Sequence, residues 1–563
     1  MQINIAESRL AREIINSESF RLKYNALFDE CQATCFQDYA FIHAWYNTYT
    51  ECDPVLVYAE EGDLLIGVLF LYHKSKTLYA AGGNLAEYQT WVCSDDNFHS
   101  FVNGALSVLM NSGKYDKLYL KYLTEDRFKD LSSSILSRCH FRKWKTPILD
   151  ISGTYLGDAV KKKSNRSKIN RLEKLPQSKF SVVNSSDPDL LNLLKKALLL
   201  AALRHDAYHK TVNYLIDANK LQFFKTLLEN SHLVHFSLWS SDLRLVTAHY
   251  GFLSKKLGTL HVGLLCHDPA YSRFSPGKVL IFKVIKDVVD KGISYLDMTP
   301  GNDEYKERYA SSHFIAYECR IYFHVLQLYI DKIRSFFVYF VKHILKFVGI
   351  DRDRVDYCVD KVKRINLISL FSSVKSRIKA AYDKYLGCVE YRIYTMTPAV
   401  AKSIGKKSIN VKENDVESLL KFREEELYQR RCVFLRRVIN RLESGCSVYS
   451  MASDTNLQHY GWVSFGCDKM FVSEVQAEIP FKEGRTVLWD FYTAPSSRRC
   501  GLFHENLLNV LYEVGHKGGD NLICIGVLVD NVASRKTIEN LGFEHSDTIV
   551  KRGVFRNAIR CAT

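Results

Sequence analysis

The sequence predicts an α/β protein of several domains, with mixed central sheets flanked by helices. Three observations lead there. At 563 residues the chain exceeds the roughly 250 to 300 residues at which a single hydrophobic core stops growing. Its composition, 47% hydrophobic and 25% charged with 10 prolines, is that of a chain that packs along most of its length. Two stretches, one around Tyr271 to Met298 and one from Thr486 onward, read as a strand, a tight turn and a helix in series.

Residues 1–155 form a first section. Pro54 to Tyr58 and Leu64 to Tyr72 flank Glu61-Gly62-Asp63, which reads as two antiparallel strands joined by a turn. The stretch C-F-Q-D-Y-A-F-I-H-A-W-Y from Cys35 to Tyr46 has the aromatic spacing of a core helix. Residues 156–324 begin near Lys161-Lys162-Lys163 and carry an apolar helix from Asp189 to Leu203, then strands at Leu233 to Leu238 and Val246 to Phe252. Pro276 and Gly277 mark a turn feeding another apolar helix, and Asp297 sits in the strand-like I-S-Y-L-D-M. A carboxylate on an apolar strand must be paired or perturbed, and such groups gather at functional sites.

Residues 325–389 are a basic connector. Leu326, Ile330, Ile333, Phe337, Phe340, Ile344 and Phe347 follow one helix face, and 13 Lys plus Arg against 6 Asp plus Glu leave +7 of the chain's +15 there. Such a helix either packs on its own domains or lies at a membrane interface, its cations meeting anionic headgroups.

Residues 390–563 hold the most legible site. The strand T-V-L-W-D-F-Y-T leads through Arg498, Arg499, Cys500 and Gly501 into a helix beginning near Leu502 and Phe503. The first amides of a helix have no internal acceptor and its dipole is positive there, so this turn suits an anion. Farther on, Asn531 and Ser534 can start a helix that ends at Gly542. The order R-x-x-G, then N-x-x-S-x-x-x-I-x-x-x-G-F, resembles the GNAT superfamily of N-acetyltransferases. The resemblance implies that Phe491, Tyr492 and Thr493 hold the pantetheine arm of acetyl-CoA or another acyl-CoA, that Arg498 to Phe503 cradle its pyrophosphate, and that Asn531 and Ser534 face it. Asp490 is the candidate base. Phe503 stands where the family has Gly or Ala, and Ile538 where many members place a Tyr.

Upstream, Ser275, Pro276, Gly277, Asp297, Gly301, Tyr305 and Lys306, with Phe36 to Trp45 and the basic Arg166 to Arg171, resemble the CelD/BcsL-type acetyltransferases of cellulose and exopolysaccharide synthesis, themselves similar to Fem-type aminoacyltransferases. That resemblance implies two GNAT-like halves in tandem. It also implies cofactor contacts from Ser275, Gly277 and Lys278, and chemistry at Asp297 and Lys306. No serine or cysteine has the spacing of a nucleophile with its base, so direct transfer is expected.

The expected activity is transfer of an acyl group from acyl-CoA to an amine or hydroxyl, for instance on an amino sugar. The same features leave open a Fem-like transferase that uses aminoacyl-tRNA, and a non-catalytic acyl-CoA-binding scaffold. Neither a metal nor a nucleic-acid partner is expected. The 15 cysteines are scattered and Met1 to Glu7 do not read as a secretory signal, which points to a cytoplasmic protein with reduced thiols and peripheral membrane contact through 325–389.

Overall fold

The computed structural model describes residues 2–129, 131–153, 155–208, 217–230, 232–242, 244–301, 304–347, 388–424, 430–517, 521–552 and 559–562. The chain divides into two compact units, Met1–Ala201 with Leu215–Val348, and Ala202–Tyr214 with Gly349–Thr563.

The first unit is built on one 13-stranded sheet. Its strands run in the order Gln2–Glu7, Pro54–Glu61, Leu64–Lys74, Thr77–Ala80, Lys117–Thr124, Ser312–Tyr322, Cys139–Asp150, Tyr295–Asp297, Thr259–His267, Arg244–Ser254, Val234–Ser241 and Lys179–Val183, with Val92–Cys93 added against Leu64–Lys74. The hairpin expected around Gly62 is Pro54–Glu61 against Leu64–Lys74, and Gly62 takes the left-handed conformation, φ +60°, that a glycine adopts without cost. The apolar helix expected over 189–203 is Leu190–Tyr208.

Nearly all neighbouring strands are antiparallel, but two pairs are parallel and each is bridged by a helix. Thr77–Ala80 reaches Lys117–Thr124 through Phe98–Asn111, and Thr259–His267 reaches Tyr295–Asp297 through Pro276–Val289. Both parallel registers are brief. The first runs from Thr77 opposite Lys117 to Tyr79 opposite Tyr119, and the second from Thr259 opposite Tyr295 to His261 opposite Asp297. Backbone N–H and C=O groups beyond these points lack the neighbouring strand as a partner, which makes the end of a short parallel pair a natural ligand edge. Each pair is continued by a strand from the other half: Ser312–Tyr322 lies on Lys117–Thr124, and Cys139–Asp150 on Tyr295–Asp297. Residues 1–155 and 156–324 thereby share one sheet. Phe101, Val102 and Leu109 pack on Leu118 and Leu120 in one core, and Leu280, Val284 and Ile285 pack on Leu260 and Leu296 in another.

The first unit ends on a helix, Val325–Phe347. It is tied to the sheet by buried Leu328 and by Asp331, which accepts from Lys117 Nζ at 3.2 Å and Tyr322 Oη at 2.5 Å. Of the apolar stripe read from its sequence, Leu326, Ile330, Ile333 and Phe340 are exposed, and Phe336 beside them is 70% exposed; the side chains of Phe337, Ile344 and Phe347 lie outside the described residues. The rest of the connector, 348–387, and the Tyr305 side chain lie outside the described residues.

The second unit has an 8-stranded sheet in the order Lys412–Glu413, Ser447–Ala452, Leu457–Val472, Ala477–Thr493, Ile523–Leu528, Cys388–Met396, Glu544–Arg552 and Ile559–Ala562. It repeats the same device. Ala477–Thr493 runs parallel to Ile523–Leu528 for three pairs, Thr486 with Ile523 to Leu488 with Ile525, and the helix Leu502–Lys517 connects them. Both strands continue after their pairing stops. Among the described residues no helix is long and apolar enough to cross a membrane.

Candidate functional site

In the first unit the parallel pair Thr259–His267 and Tyr295–Asp297 ends on a buried polar chain. Asp297 accepts hydrogen bonds from Tyr88 Oη at 2.6 Å and His261 Nδ1 at 2.8 Å through Oδ2, and from the Thr299 amide at 2.7 Å through Oδ1. His261 Nε2 lies 2.9 Å from Ser254 Oγ, which also accepts from the Cys35 amide at 2.9 Å. The directions follow from the partners. The Asp297 carboxylate can only accept, so the proton of His261 sits on Nδ1 facing it, and Nε2 of the neutral imidazole then accepts from the Ser254 hydroxyl. Burial, reinforced by the Asp297 carboxylate, holds the Tyr88 phenol well above its usual pKa, so it remains a donor.

Thr299, held by Asp297, has φ +61°, a conformation that strains a β-branched residue. Lys306 Nζ reaches the Thr299 carbonyl at 3.3 Å and its hydroxyl at 3.5 Å. Asp297 and Lys306 thus grip the same turn separately. The hydrogen-bond order serine, histidine, aspartate was not foreseen, because Ser254, His261 and Asp297 stand on three different strands. Ser254 is only 5% exposed, so it is poorly placed to attack a substrate.

Ser275 begins the helix Pro276–Val289 at φ +52°. Gly277 lies inside the first helical turn and not in a preceding loop, and a Cβ there would touch only Leu265, at 4.0 Å. Burial, and then the nearby charges of Lys168 and Lys162, lower the Lys278 pKa. Three ammonium groups thus gather near a helix start, where an anion would relieve their repulsion.

In the second unit, Asp490 sits at φ +48° in a bulge. Trp489 stands opposite Trp462 and Tyr492 opposite Tyr460, so the single residue Gly461 faces both Asp490 and Phe491. The extra residue resets the alternation of side chains. Leu488 and Phe491 therefore both face the core beneath the helix Leu502–Lys517, while Tyr492 turns away and stacks on Tyr460 at 5.4 Å. Gly461 is required there, since a Cβ would lie 2.2 Å from the Phe491 ring. Asp490 Oδ2 accepts from Arg441 Nη1 at 2.5 Å, and to act as a base it would first have to leave that pair.

Phe503 packs edge-on against Phe491 at 5.2 Å. Thr493 Oγ1 meets His459 Nδ1 at 2.8 Å, and the Thr493 carbonyl accepts from Arg498 Nε at 3.4 Å. Arg498, Arg499 and Cys500 are exposed. Arg499 and Gly501 have φ +68° and +74°, and a Cβ on Gly501 would have open space around it. Asn531 caps the helix Val532–Asn540 by accepting from the Ser534 amide at 3.3 Å, and Ile538 is buried in the core.

Residues 160–307 match the model of the acetyltransferase (GNAT) domain. The match spans the buried chain at Asp297 and the helix at Ser275. No curated protein matches the sequence. Solved structures similar to this chain include FemX, at 9% identity over 55% of this chain and 97% of that one with a TM-score of 0.39. L-PGS from Bacillus licheniformis gives 11% identity over 55% and 94%, with a TM-score of 0.35. A tandem GNAT protein from the clavulanic acid biosynthesis pathway gives 12% identity over 67% and 98%, with a TM-score of 0.20. The fold is mixed α/β, with two large mixed sheets flanked by helices, and residues 160–307 within it match the GNAT domain.

GNAT domains bind acyl-CoA, and the described residues suit that anionic ligand at two helix starts: Lys162, Lys168 and Lys278 near Ser275, and exposed Arg498 and Arg499 before Leu502. Sequence reasoning missed Tyr88, His261 and His459. His459 is fully buried among Phe491, Phe503 and Thr493, and burial lowers its pKa from 6.5 to about 4. The unfolded chain therefore takes up a proton near pH 6.5 that the folded unit refuses until about pH 4, so stability is lost as pH falls through that window. The loss amounts to about 3 kcal/mol at roughly 1.4 kcal/mol per pKa unit. Thermal unfolding of the second unit followed from pH 7 to pH 4 is expected to show this decline, and His459→Asn to flatten it.

Proposed function

We propose that this protein transfers an acyl group, acetyl in the first instance, from acyl-CoA to an amine or hydroxyl acceptor, and that transfer takes place in the first unit, where Thr259–His267 and Tyr295–Asp297 cease to pair. One observation carries this reading. Of the three short parallel pairs, this one ends on a histidine opposite a carboxylate, whereas the others end on Tyr79 with Tyr119 and on Leu488 with Ile525.

Acyl-CoA, when bound, supplies a carbonyl carbon activated as a thioester. The Gly277 amide, with Lys278 and Lys168, holds an anionic end at the helix start. Asp297 and Lys306 act as positioning residues, for one holds the amide of Thr299 and the other its carbonyl. Together they keep that strained turn in place beside the end of the strand pair. His261 and Tyr88 hold the Asp297 carboxylate in its orientation. The acceptor attacks directly, since Ser254 is enclosed and engaged by Cys35 and His261. The motif from Ser275 to Lys306 supports an acceptor drawn from cell-envelope or exopolysaccharide synthesis.

The second unit binds acyl-CoA at the turn Arg498 to Phe503, below the strand end Phe491 to Thr493. The exposed apolar face of Val325–Phe347, with Lys332 and Arg334 beside it, supports peripheral contact with an anionic membrane.

Asp297→Asn is expected to lower turnover with acetyl-CoA by at least about tenfold in a variant that still folds, with a lowered melting temperature because the amide nitrogen would face a donor; unchanged turnover in the folded variant would reduce Asp297 to structure. In the full chain, Gly501→Val should remove one coenzyme A from the stoichiometry found by isothermal titration, because a β-branched residue resists φ +74° and crowds the amides that would meet phosphate. Replacing both Ile333 and Phe336 by Asp is expected to abolish cosedimentation with phosphatidylglycerol vesicles at low salt, and parent protein that stays in the supernatant would sink the membrane reading.

A further inference from the structure

The first unit carries a strip of aromatic side chains that the acyl-CoA reading does not use. Leu71, Leu78, Leu118 and Leu120 belong to the core that holds Phe101 and Leu109, so their strand neighbours Tyr72, Tyr79 and Tyr119 point to the other face of the sheet. Tyr317 and Cys319 belong to the same core, which puts Glu318 and Arg320 on that other face as well. Glu318 Oε2 accepts from Trp144 Nε1 at 3.4 Å, and Trp144 meets Tyr122 edge-on at 5.8 Å. Tyr72, Tyr79, Tyr119, Tyr122 and Trp144 are all half-buried. Tyr72 lies 5.4 Å from Tyr79 and Tyr79 lies 5.8 Å from Tyr119, and the Arg320 guanidinium, 5.6 Å from the Tyr119 ring centre, continues the row toward Trp144. The strip crosses five neighbouring strands, about 19 Å at roughly 4.8 Å per strand.

Its charges are largely paired within it. Lys121 Nζ lies 3.1 Å from Glu87 and Arg320 Nη2 lies 3.2 Å from Glu318, while the Arg142 guanidinium stacks over the Trp144 ring at 4.1 Å. A nucleic acid carries a charge on every phosphate and is held chiefly by cations, which this strip has matched with its own carboxylates. A lipid surface would have to desolvate Glu87 and Glu318. A neutral sugar chain suits both parts of the strip: the C–H faces of its rings lie on the electron-rich faces of tyrosine and tryptophan, and its hydroxyls donate to carboxylates and accept from guanidinium groups.

The strip also leads to the buried polar chain. Two residues beyond Trp144, about 7 Å along the strand, Thr146 pairs with Phe314, whose ring lies 5.8 Å from that of Tyr88, the donor to Asp297. We infer that this face binds a neutral oligosaccharide of several rings, laid across the strands from Tyr72 to Trp144 with one end directed toward Asp297. Its role as acceptor rests on the acyl-transfer reading; its binding rests on the strip alone.

The test is isothermal titration of the full chain with cellohexaose and with the β-1,4-linked hexamer of N-acetylglucosamine, each beside its disaccharide, and with hexauridylate. The expected result is saturable binding of at least one hexasaccharide, about tenfold or more tighter than its disaccharide, and weakened by about tenfold in Tyr79→Leu and in Trp144→Leu. Leucine keeps apolar packing and removes the ring, and Tyr79→Phe, which keeps the ring, is expected to bind as the parent does. Absence of saturable binding of both hexasaccharides, equal affinity for hexasaccharide and disaccharide, undiminished affinity in leucine variants that retain the parent's melting transition, or tighter binding of hexauridylate would overturn the inference. A parent that binds a hexasaccharide but does not acetylate it from acetyl-CoA would leave the strip standing and count against the acyl-transfer reading instead.

Discussion

Three times among the described residues two parallel strands stay in register for three residues and then stop, and both candidate acyl-CoA sites lie where such a pair stops. A parallel pair needs a crossover to bring the second strand back beside the first, and here the crossover is a helix each time. The start of that helix supplies amides without acceptors, and the unpaired strand edges supply more. In two of the three pairs only eight residues, 268–275 and 494–501, join the first strand to the helix, which keeps strand end and helix start near each other. A ligand with an anionic end and a long hydrogen-bonding arm fits such a place, whichever side chains decorate it.

The decoration separates the three. At His261 and Asp297 the end of pairing is polar, buried and tied to residues far away in sequence, Tyr88 and Cys35. Burying a carboxylate is costly unless its oxygens are occupied, and Asp297 meets that demand with three donors. One of them is the amide of Thr299, so the same bonds that stabilise the charge also hold a backbone conformation that costs of order 1 to 3 kcal/mol. At Leu488 and Ile525 the corresponding place is core. There the shape of the cleft comes from the bulge at Asp490, which redirects Phe491 toward Phe503 and leaves Trp489 to Arg441.

The shared sheet of the first unit has a further consequence. Because Cys139–Asp150 pairs with Tyr295–Asp297 and Ser312–Tyr322 with Lys117–Thr124, neither half closes its own sheet. Tyr88 from one half and His261 from the other can then meet on a single carboxylate, and the stability of the site is bound to that of both halves.

Local chemistry was legible in the sequence. The turn at Gly62, the helix opening at Pro276, the helix after Gly501 and the periodicity of Val325–Phe347 all depend on residues within a few positions of one another, and propensity and spacing act over that range. So did the singling out of Asp297, whose apolar strand neighbours forced the question of its partner. Its partners were not legible. Lys306, near in sequence, proved to hold Thr299, while Tyr88 lies 209 residues away. Asn531, read as facing a ligand, has its side chain engaged as a helix cap. The packing of Phe491 was hidden for a similar reason: only the bulge opposite Gly461 determines that Phe491 and not Trp489 meets Phe503. A one-residue slip in strand register reverses the face of every side chain beyond it, and the tertiary pairing of two strands, not the sequence of either, decides where that slip occurs.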